Sequence, residues 1–181
     1  MKLKMRCILL VTILLGAFLT SFAQQTRKSD LLVMFRDTVT GEYGYRNLKG
    51  DIIIPSGKYL VCFTDTFRTF AIVTYPHKGF VAIDRRENIL YEVFPFDNGP
   101  DYSSGGLFRI LVNNRIGYAD SSTGKIVIKP QFECAWPFEN GVAKVSMDCK
   151  TLADGEHSIW ASNSWYYIDK TGRKVNRGRA N

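Results

Sequence analysis

The 181 residues carry 24 basic and 17 acidic side chains, which give a formal net charge of +7. Three of those cations lie in the first six residues, so a chain that loses its amino terminus would keep only 7 − 3 = +4. Because the remaining basic residues fall on turns and on the carboxyl-terminal tail, without interleaved aromatic residues, the composition argues against a nucleic-acid-binding protein.

The first 23 residues have the organisation of a signal peptide. A basic amino-terminal segment precedes an apolar run at 7–19, and Ser21, Phe22 and Ala23 form a small-x-small cleavage pattern. The apolar run is shorter than the roughly 18 residues that a transmembrane helix needs. A lipoprotein would require a cysteine at the cleavage position, and none stands there. We therefore expect export, to the periplasm or beyond the cell, with no transmembrane anchor after cleavage.

The mature chain is long enough for one domain. A polar segment at 24–30 precedes a β-repeat domain that we place at 31–176, and a basic tail follows at 177–181. The first strand is predicted at 31–35. Beyond it, β-branched and aromatic residues dominate the apolar runs, and no window sustains the i, i+3, i+4, i+7 spacing of an amphipathic helix. The sequence therefore predicts an all-β fold.

One pattern recurs four times in this domain: a strand, a turn that starts at Asp or Asn, and a second strand. The predicted hairpins occupy 43–55, 80–91, 116–129 and 165–175. The turns start at Asn47, Asp84, Asp120 and Asp169, and we assign their left-handed positions to Gly50, Asn88, Gly124 and Gly172. The starts are 37, 36 and 49 residues apart. A period of about 20–50 residues is typical of solenoids, propellers and arrays.

The second and third units continue through a Pro-aromatic bend into an exit strand. The bends read Phe94-Pro-Phe96 and Trp136-Pro-Phe138, and Gly99 and Gly141 follow them. We interpret the four aromatic residues as core residues, which recur because equivalent side chains pack in the core of each repeat.

The third unit, with Gly117-Tyr-Ala-Asp120, Gly124-Lys-Ile-Val-Ile-Lys-Pro130 and Trp136-Pro-Phe138, resembles the WG-repeat family of bacterial proteins. The Trp-Gly pair of that family is absent, so the repeats are degenerate. The resemblance implies about four antiparallel β-hairpins, as an open array or closed into a small barrel or propeller, and supplies no catalytic residues. Its structural positions are Gly44, Gly50, Asp84, Asn88, Gly117, Asp120, Gly124, Pro130, Trp136, Phe138, Gly141, Asp169 and Gly172.

The long interval before the last unit contains an insertion at 147–164. It carries Asp154, Glu156, His157 and Trp160, which the repeat does not require. Insertions in repeat proteins tend to lie on one face, often the binding face. We therefore predict that these four residues form a binding surface for a protein or glycan partner. Trp160 either serves that surface or caps the end of the array.

Candidate catalytic groups are sparse. A Cys149–His157 pair, a Glu133–Glu139 carboxylate pair and a calcium loop at Asp97 and Asp101 are each alternatives to ordinary turn chemistry. Three cysteines, Cys62, Cys134 and Cys149, follow the signal segment, and their odd number leaves at least one unpaired in a monomer. No zinc spacing occurs, so we expect no metal or cofactor.

These observations favour a non-catalytic, exported β-repeat module that binds a protein or a ligand in the bacterial envelope. The alternative is a small secreted hydrolase that acts on glycans or peptides.

Overall fold

The structure is a computed structural model and describes residues 31–155 and 157–176. The predicted signal peptide at 1–23, the segment at 24–30, Glu156 and the tail at 177–181 lie outside the described residues. The described part of the chain consists of β-strands, turns and bends without a helix, so the all-β prediction is confirmed. Accordingly, no helix able to span a membrane occurs in that part.

The strands are short and follow one another closely along the chain. They are β1 (Leu32–Arg36), β2 (Tyr43–Asn47), β3 (Ile52–Ile54), β4 (Val61–Cys62), β5 (Thr66–Phe67), β6 (Phe70–Tyr75), β7 (Gly79–Asp84), β8 (Ile89–Val93), β9 (Pro95–Phe96), β10 (Gly99–Pro100), β11 (Leu107–Val112), β12 (Arg115–Asp120), β13 (Ile126–Phe132), β14 (Cys134–Ala135), β15 (Val142–Ser146), β16 (Lys150–Asp154), β17 (His157–Ala161), β18 (Tyr166–Asp169) and β19 (Lys174–Val175).

All four predicted hairpins are present, as β2–β3, β7–β8, β12–β13 and β18–β19. The first strand of each hairpin also pairs antiparallel with the strand that lies before it in the sheet, which is β1, β6, β11 or β15. Strands β6, β11 and β15 are the exit strands of the first, second and third units, whereas β1 precedes the first unit. The structural unit is therefore a three-stranded meander, and the last three meanders each straddle two sequence repeats.

Pairing of β8 with β11 joins the two middle meanders into a seven-stranded sheet, in the order β13-β12-β11-β8-β7-β6-β4. Two four-stranded sheets, β3-β2-β1-β5 and β14-β15-β18-β19, contain the first and last hairpins. The inserted hairpin β16–β17 and the pair β9–β10 form separate two-stranded sheets.

The hairpin turns follow the predicted chemistry at three of the four units. Gly50, Gly124 and Gly172 have φ values of +96°, +71° and +84°. In the third turn the Asp120 carboxylate accepts hydrogen bonds from the Ser122 and Thr123 hydroxyls at 2.6 and 2.8 Å. These hydroxyl bonds lower the pKa of Asp120 to about 2.

The assignment of Asn88 to the left-handed position is wrong. Glu87 has that conformation, with a φ of +64°. Its backbone N–H donates to the Asp84 carbonyl at 2.9 Å, as the Gly50 N–H does to the Asn47 carbonyl. Asn88 instead donates its side-chain amide to the Asp84 carboxylate at 3.0 Å. A glutamate thus occupies, in the second unit, a position held by glycine in the other units.

Close packing explains the glycine of the Gly-Tyr pair, which occurs at 44–45 and 117–118. A Cβ on Gly44 or Gly117 would lie 2.6 Å from the carbonyl oxygen of Ile54 or Ile128 on the returning strand. Pro130 stands in β13 where its pairing with β12 shifts register, and its backbone also lies against Gly117. The repeat therefore needs glycine here because the two strand backbones approach closely.

The tyrosine of the same pair anchors the bend. The Tyr118 hydroxyl donates to the Trp136 carbonyl at 2.6 Å, and its ring meets Phe138 edge to face at 4.8 Å. Phe138 is buried, as predicted. The core prediction for Trp136 and Phe96 is wrong, because their side chains are 46% and 45% exposed. These two rings belong to a surface cleft.

Candidate functional site

A cleft of about 710 Å³ lies between the Phe94 bend and the inserted hairpin. Its apolar lining consists of Phe94, Phe96, Trp136, Ile159 and Trp160. Phe96, Trp136 and Ile159 are each nearly half exposed, although they are large apolar residues. We call this feature the aromatic cleft.

Two repeat-equivalent residues supply facing parts of its wall. The Phe94 N–H donates to the Arg109 carbonyl on β11 at 3.1 Å, and the Trp136 N–H donates to the Lys144 carbonyl on β15 at 2.9 Å. The two bends are therefore fastened to their exit strands in the same way. Trp160 contacts both rings edge to face, at centroid distances of 5.9 Å to Phe94 and 5.3 Å to Trp136.

Covalent and polar contacts hold the inserted hairpin beside these rings. A disulfide joins Cys134, two residues before Trp136, to Cys149 at the base of β16. At the other strand of this base, just after β17, the Ser162 hydroxyl bonds the hydroxyl of buried Ser146 at 2.8 Å. Trp160 is consequently presented from a segment whose two ends are both fixed.

The disulfide corrects the suggested pairing of Cys149 with His157. A disulfide sulfur has no thiolate to act as a nucleophile. Among the described residues, Cys62 is the free cysteine; it is buried, and burial raises the pKa of its thiol.

A buried ion pair lies beside the cleft. The Arg109 guanidinium donates to both carboxylate oxygens of Asp101, at 3.0 Å from Nε and 2.5 Å from Nη2, and to the Ala135 carbonyl at 3.3 Å. The Asp101 and Arg109 residues are 5% and 2% exposed. The guanidinium carbon is 4.3 Å from the centroid of Phe94 and 5.5 Å from that of Phe96. The guanidinium of the ion pair thus packs against both phenylalanine rings. The Asp101 carboxylate pairs with Arg109, so the suggested calcium loop is not supported.

Asp97 is the other charged residue that lines the cleft. It occupies the turn between β9 and β10 with a φ of +53°, and its side chain is exposed. Its carboxylate accepts a long hydrogen bond, 3.4 Å, from the Asn98 amide. Within the described residues, no basic side chain forms an ion pair with it.

A smaller cleft, of about 400 Å³, lies on the other side of Trp136. Glu139 and Lys144 line it, together with Tyr167. Glu133 does not line it and instead forms an ion pair with Arg115. The two glutamates considered as a catalytic pair therefore have different surroundings.

Of the four residues predicted to bind, Trp160 lines the aromatic cleft. Asp154 is exposed at the tip of the inserted hairpin, opposite His157 in the strand register, and does not line the cleft. Glu156 lies outside the described residues. The sequence analysis did not predict a role for Arg109. A charged residue inside the apolar run Leu107–Val112 could have indicated a buried ion pair.

Residues 116–150 match the model of a family described as WG containing repeat. The match covers 35 of the 181 residues and includes the third hairpin, Trp136, the exit strand β15 and both disulfide cysteines. It confirms the resemblance seen in the sequence and identifies a β-repeat module. No curated protein and no solved structure matches the chain.

Proposed function

We propose that the protein is a non-catalytic binding module of the bacterial envelope, and that the aromatic cleft is its ligand site. The observation that carries this proposal is the grouping of half-exposed Phe96, Trp136 and Ile159 around one cleft. Scattered apolar side chains are normal on a protein surface, whereas a contiguous group of them marks an interaction site. Tryptophan is also one of the residue types that are enriched among binding hot spots.

The architecture favours binding because the site is largely formed before a ligand arrives. Trp160 is held between Phe94 and Trp136, and the disulfide fixes the base of its hairpin. A side chain that is already ordered loses less conformational entropy when a ligand binds, and this raises affinity.

Two independent features support export. The amino-terminal sequence has the charge, length and cleavage pattern of a signal peptide. The Cys134–Cys149 disulfide suits an oxidising compartment such as the periplasm or the cell exterior.

The binding role is tested by capture from envelope extract on immobilised mature protein, with bound proteins and glycans quantified. Trp136→Ala should reduce the capture of specific ligands by at least about tenfold, since hot-spot truncations cost about 2 kcal/mol or more. The matched control is Phe63→Ala.

Phe63 stands at the same place in the first unit and is 41% exposed, and its N–H donates to the Ile72 carbonyl at 2.9 Å. It does not line the aromatic cleft. Equal capture by the wild type and Trp136→Ala would show that the cleft is not the ligand site.

A further inference from the structure

The charges around the aromatic cleft do not cancel. Arg109 is neutralised by Asp101, which receives two parallel hydrogen bonds from its guanidinium. Asp97 adds an exposed carboxylate with no basic partner among the described residues. Two carboxylates and one guanidinium leave a local charge of −1.

The rings of the cleft add negative potential of their own. Aromatic faces carry the negative part of the ring quadrupole, and indole attracts cations best among the aromatic side chains. Trp136 and Trp160 both line the cleft, and Trp136 is 46% exposed. Arg109, 4.3 Å from the Phe94 centroid, shows that the Phe94 ring already accommodates a cation.

From this charge and these rings, we infer that the aromatic cleft selects an alkylammonium group. The inference rests on the binding role proposed above and names the ligand chemistry of the same site. The ammonium group packs against the indole faces, and the Asp97 carboxylate supplies the opposite charge. At about 710 Å³, the cleft is within the size range of small-ligand sites, so it accommodates a trimethylammonium group or a lysine side chain.

Other ligand classes fit these groups less well. An anion would meet both the ring faces and the Asp97 carboxylate, which repel it. A neutral sugar would stack on the indole rings and donate hydroxyl hydrogen bonds to Asp97, but it would gain no attraction between opposite charges. The unpaired Asp97 is therefore the feature that separates the cationic ligand from the neutral one.

The test compares choline with 3,3-dimethylbutan-1-ol, a neutral molecule of the same shape, by tryptophan fluorescence at low ionic strength. Choline should bind the wild type about tenfold more tightly, a difference of about 1.4 kcal/mol, since its charge is attracted both by the Asp97 carboxylate and by the indole faces. Asp97→Asn should remove most of that preference. Asparagine tolerates the left-handed backbone at this position, so the substitution changes charge and little else.

Two controls separate the cleft from general surface effects. Asp65→Asn removes an exposed carboxylate that does not line the cleft, and Phe63→Ala removes the repeat equivalent of Trp136. Both variants should bind choline as the wild type does. Trp136→Ala should lose choline binding.

The source of the ammonium group is resolved by adding the peptide acetyl-Gly-Lys-Gly-amide. Tighter binding of the peptide assigns the site to a lysine of a protein partner, and tighter binding of choline assigns it to a free small molecule. Equal affinity for choline and the neutral alcohol, or unchanged selectivity in Asp97→Asn, overturns the inference. Absence of binding by both ammonium probes also overturns it, while Trp136-dependent capture from envelope extract would still support the binding role.

Discussion

Gly124 is the turn residue whose substitution should cost most. Its φ of +71° is a conformation that costs a residue with a Cβ about 1–2 kcal/mol. A Cβ at this position would also lie 2.5 Å from Cγ of Phe70, a ring that stacks on Phe108. Overpacking of this kind costs about 1–3 kcal/mol. We therefore expect Gly124→Ala to lower the free energy of unfolding by about 2–5 kcal/mol, and Gly124→Val by at least as much.

Gly50→Ala is the matched control. Gly50 occupies the equivalent turn position with a φ of +96°, and a Cβ added there would meet no atom within 4 Å. This variant should show the backbone strain alone, about 1–2 kcal/mol. Urea unfolding of the mature protein, followed by both fluorescence and circular dichroism, gives the two free energies.

The difference in the free energy of unfolding between the two variants measures how tightly the third turn packs against Phe70 of β6. Equal destabilisation by Gly124→Ala and Gly50→Ala would show that Phe70 does not confine the turn. Wild-type stability in both variants would refute the left-handed assignment and, with it, the register of the hairpins. The Tyr91 hydroxyl, which donates to the Gly124 carbonyl at 2.6 Å, gives a second probe of the same docking contact.

Three further predictions concern polar groups. Asp101→Asn should cost about 3–5 kcal/mol, since it leaves the Arg109 charge buried without its partner; a loss under about 1 kcal/mol in urea unfolding would contradict the buried-pair assignment. The pKa of Asp120, about 2 in the folded state against about 3.9 unfolded, gives a stabilisation that is complete above the unfolded value and lost as the pH falls towards 2. Asp120→Asn should therefore flatten the stability profile below pH 4, and superimposable profiles would refute this. Reduction of the Cys134–Cys149 disulfide should lower the free energy of unfolding by about 3 kcal/mol, since it closes a loop of 15 residues; an unchanged melting temperature in dithiothreitol would count against it.

The hairpins were predictable because their signals are local. An Asp or Asn at the start of a turn binds the amides just ahead of it, and glycine accepts positive φ without strain, so the residues of each turn determine its geometry. The exception is instructive. Glu87 takes the left-handed position because its carboxylate accepts a hydrogen bond from the Tyr59 hydroxyl at 2.6 Å and pairs with Lys58. Those partners are 28 and 29 positions away in the sequence, so no turn rule could have found them.

The site was less predictable because exposure depends on contacts between units. Phe96 and Phe138 occupy equivalent places in the repeat, yet Phe138 is buried beneath Tyr118 while Phe96 is 45% exposed. The second unit has Ala82 where the third has Tyr118, so it lacks the ring that covers Phe138. The substitution of alanine for tyrosine is visible in the sequence. Its effect on the exposure of Phe96 could be recognised only from the contacts in the folded protein.

The aromatic cleft arises where the repeat symmetry is broken. Phe63, Phe94 and Trp136 stand at equivalent places, and each is fastened by its N–H to its own exit strand. In the first unit the neighbouring ring comes from the repeat itself, because Phe80 meets Phe63 edge to face at 5.6 Å. In the second and third units the neighbouring ring is Trp160 of the insertion, which contacts both Phe94 and Trp136. The repeat thus supplies two rings, and the insertion joins them into one continuous surface. The proposed binding role therefore depends on a segment that the repeat pattern does not encode.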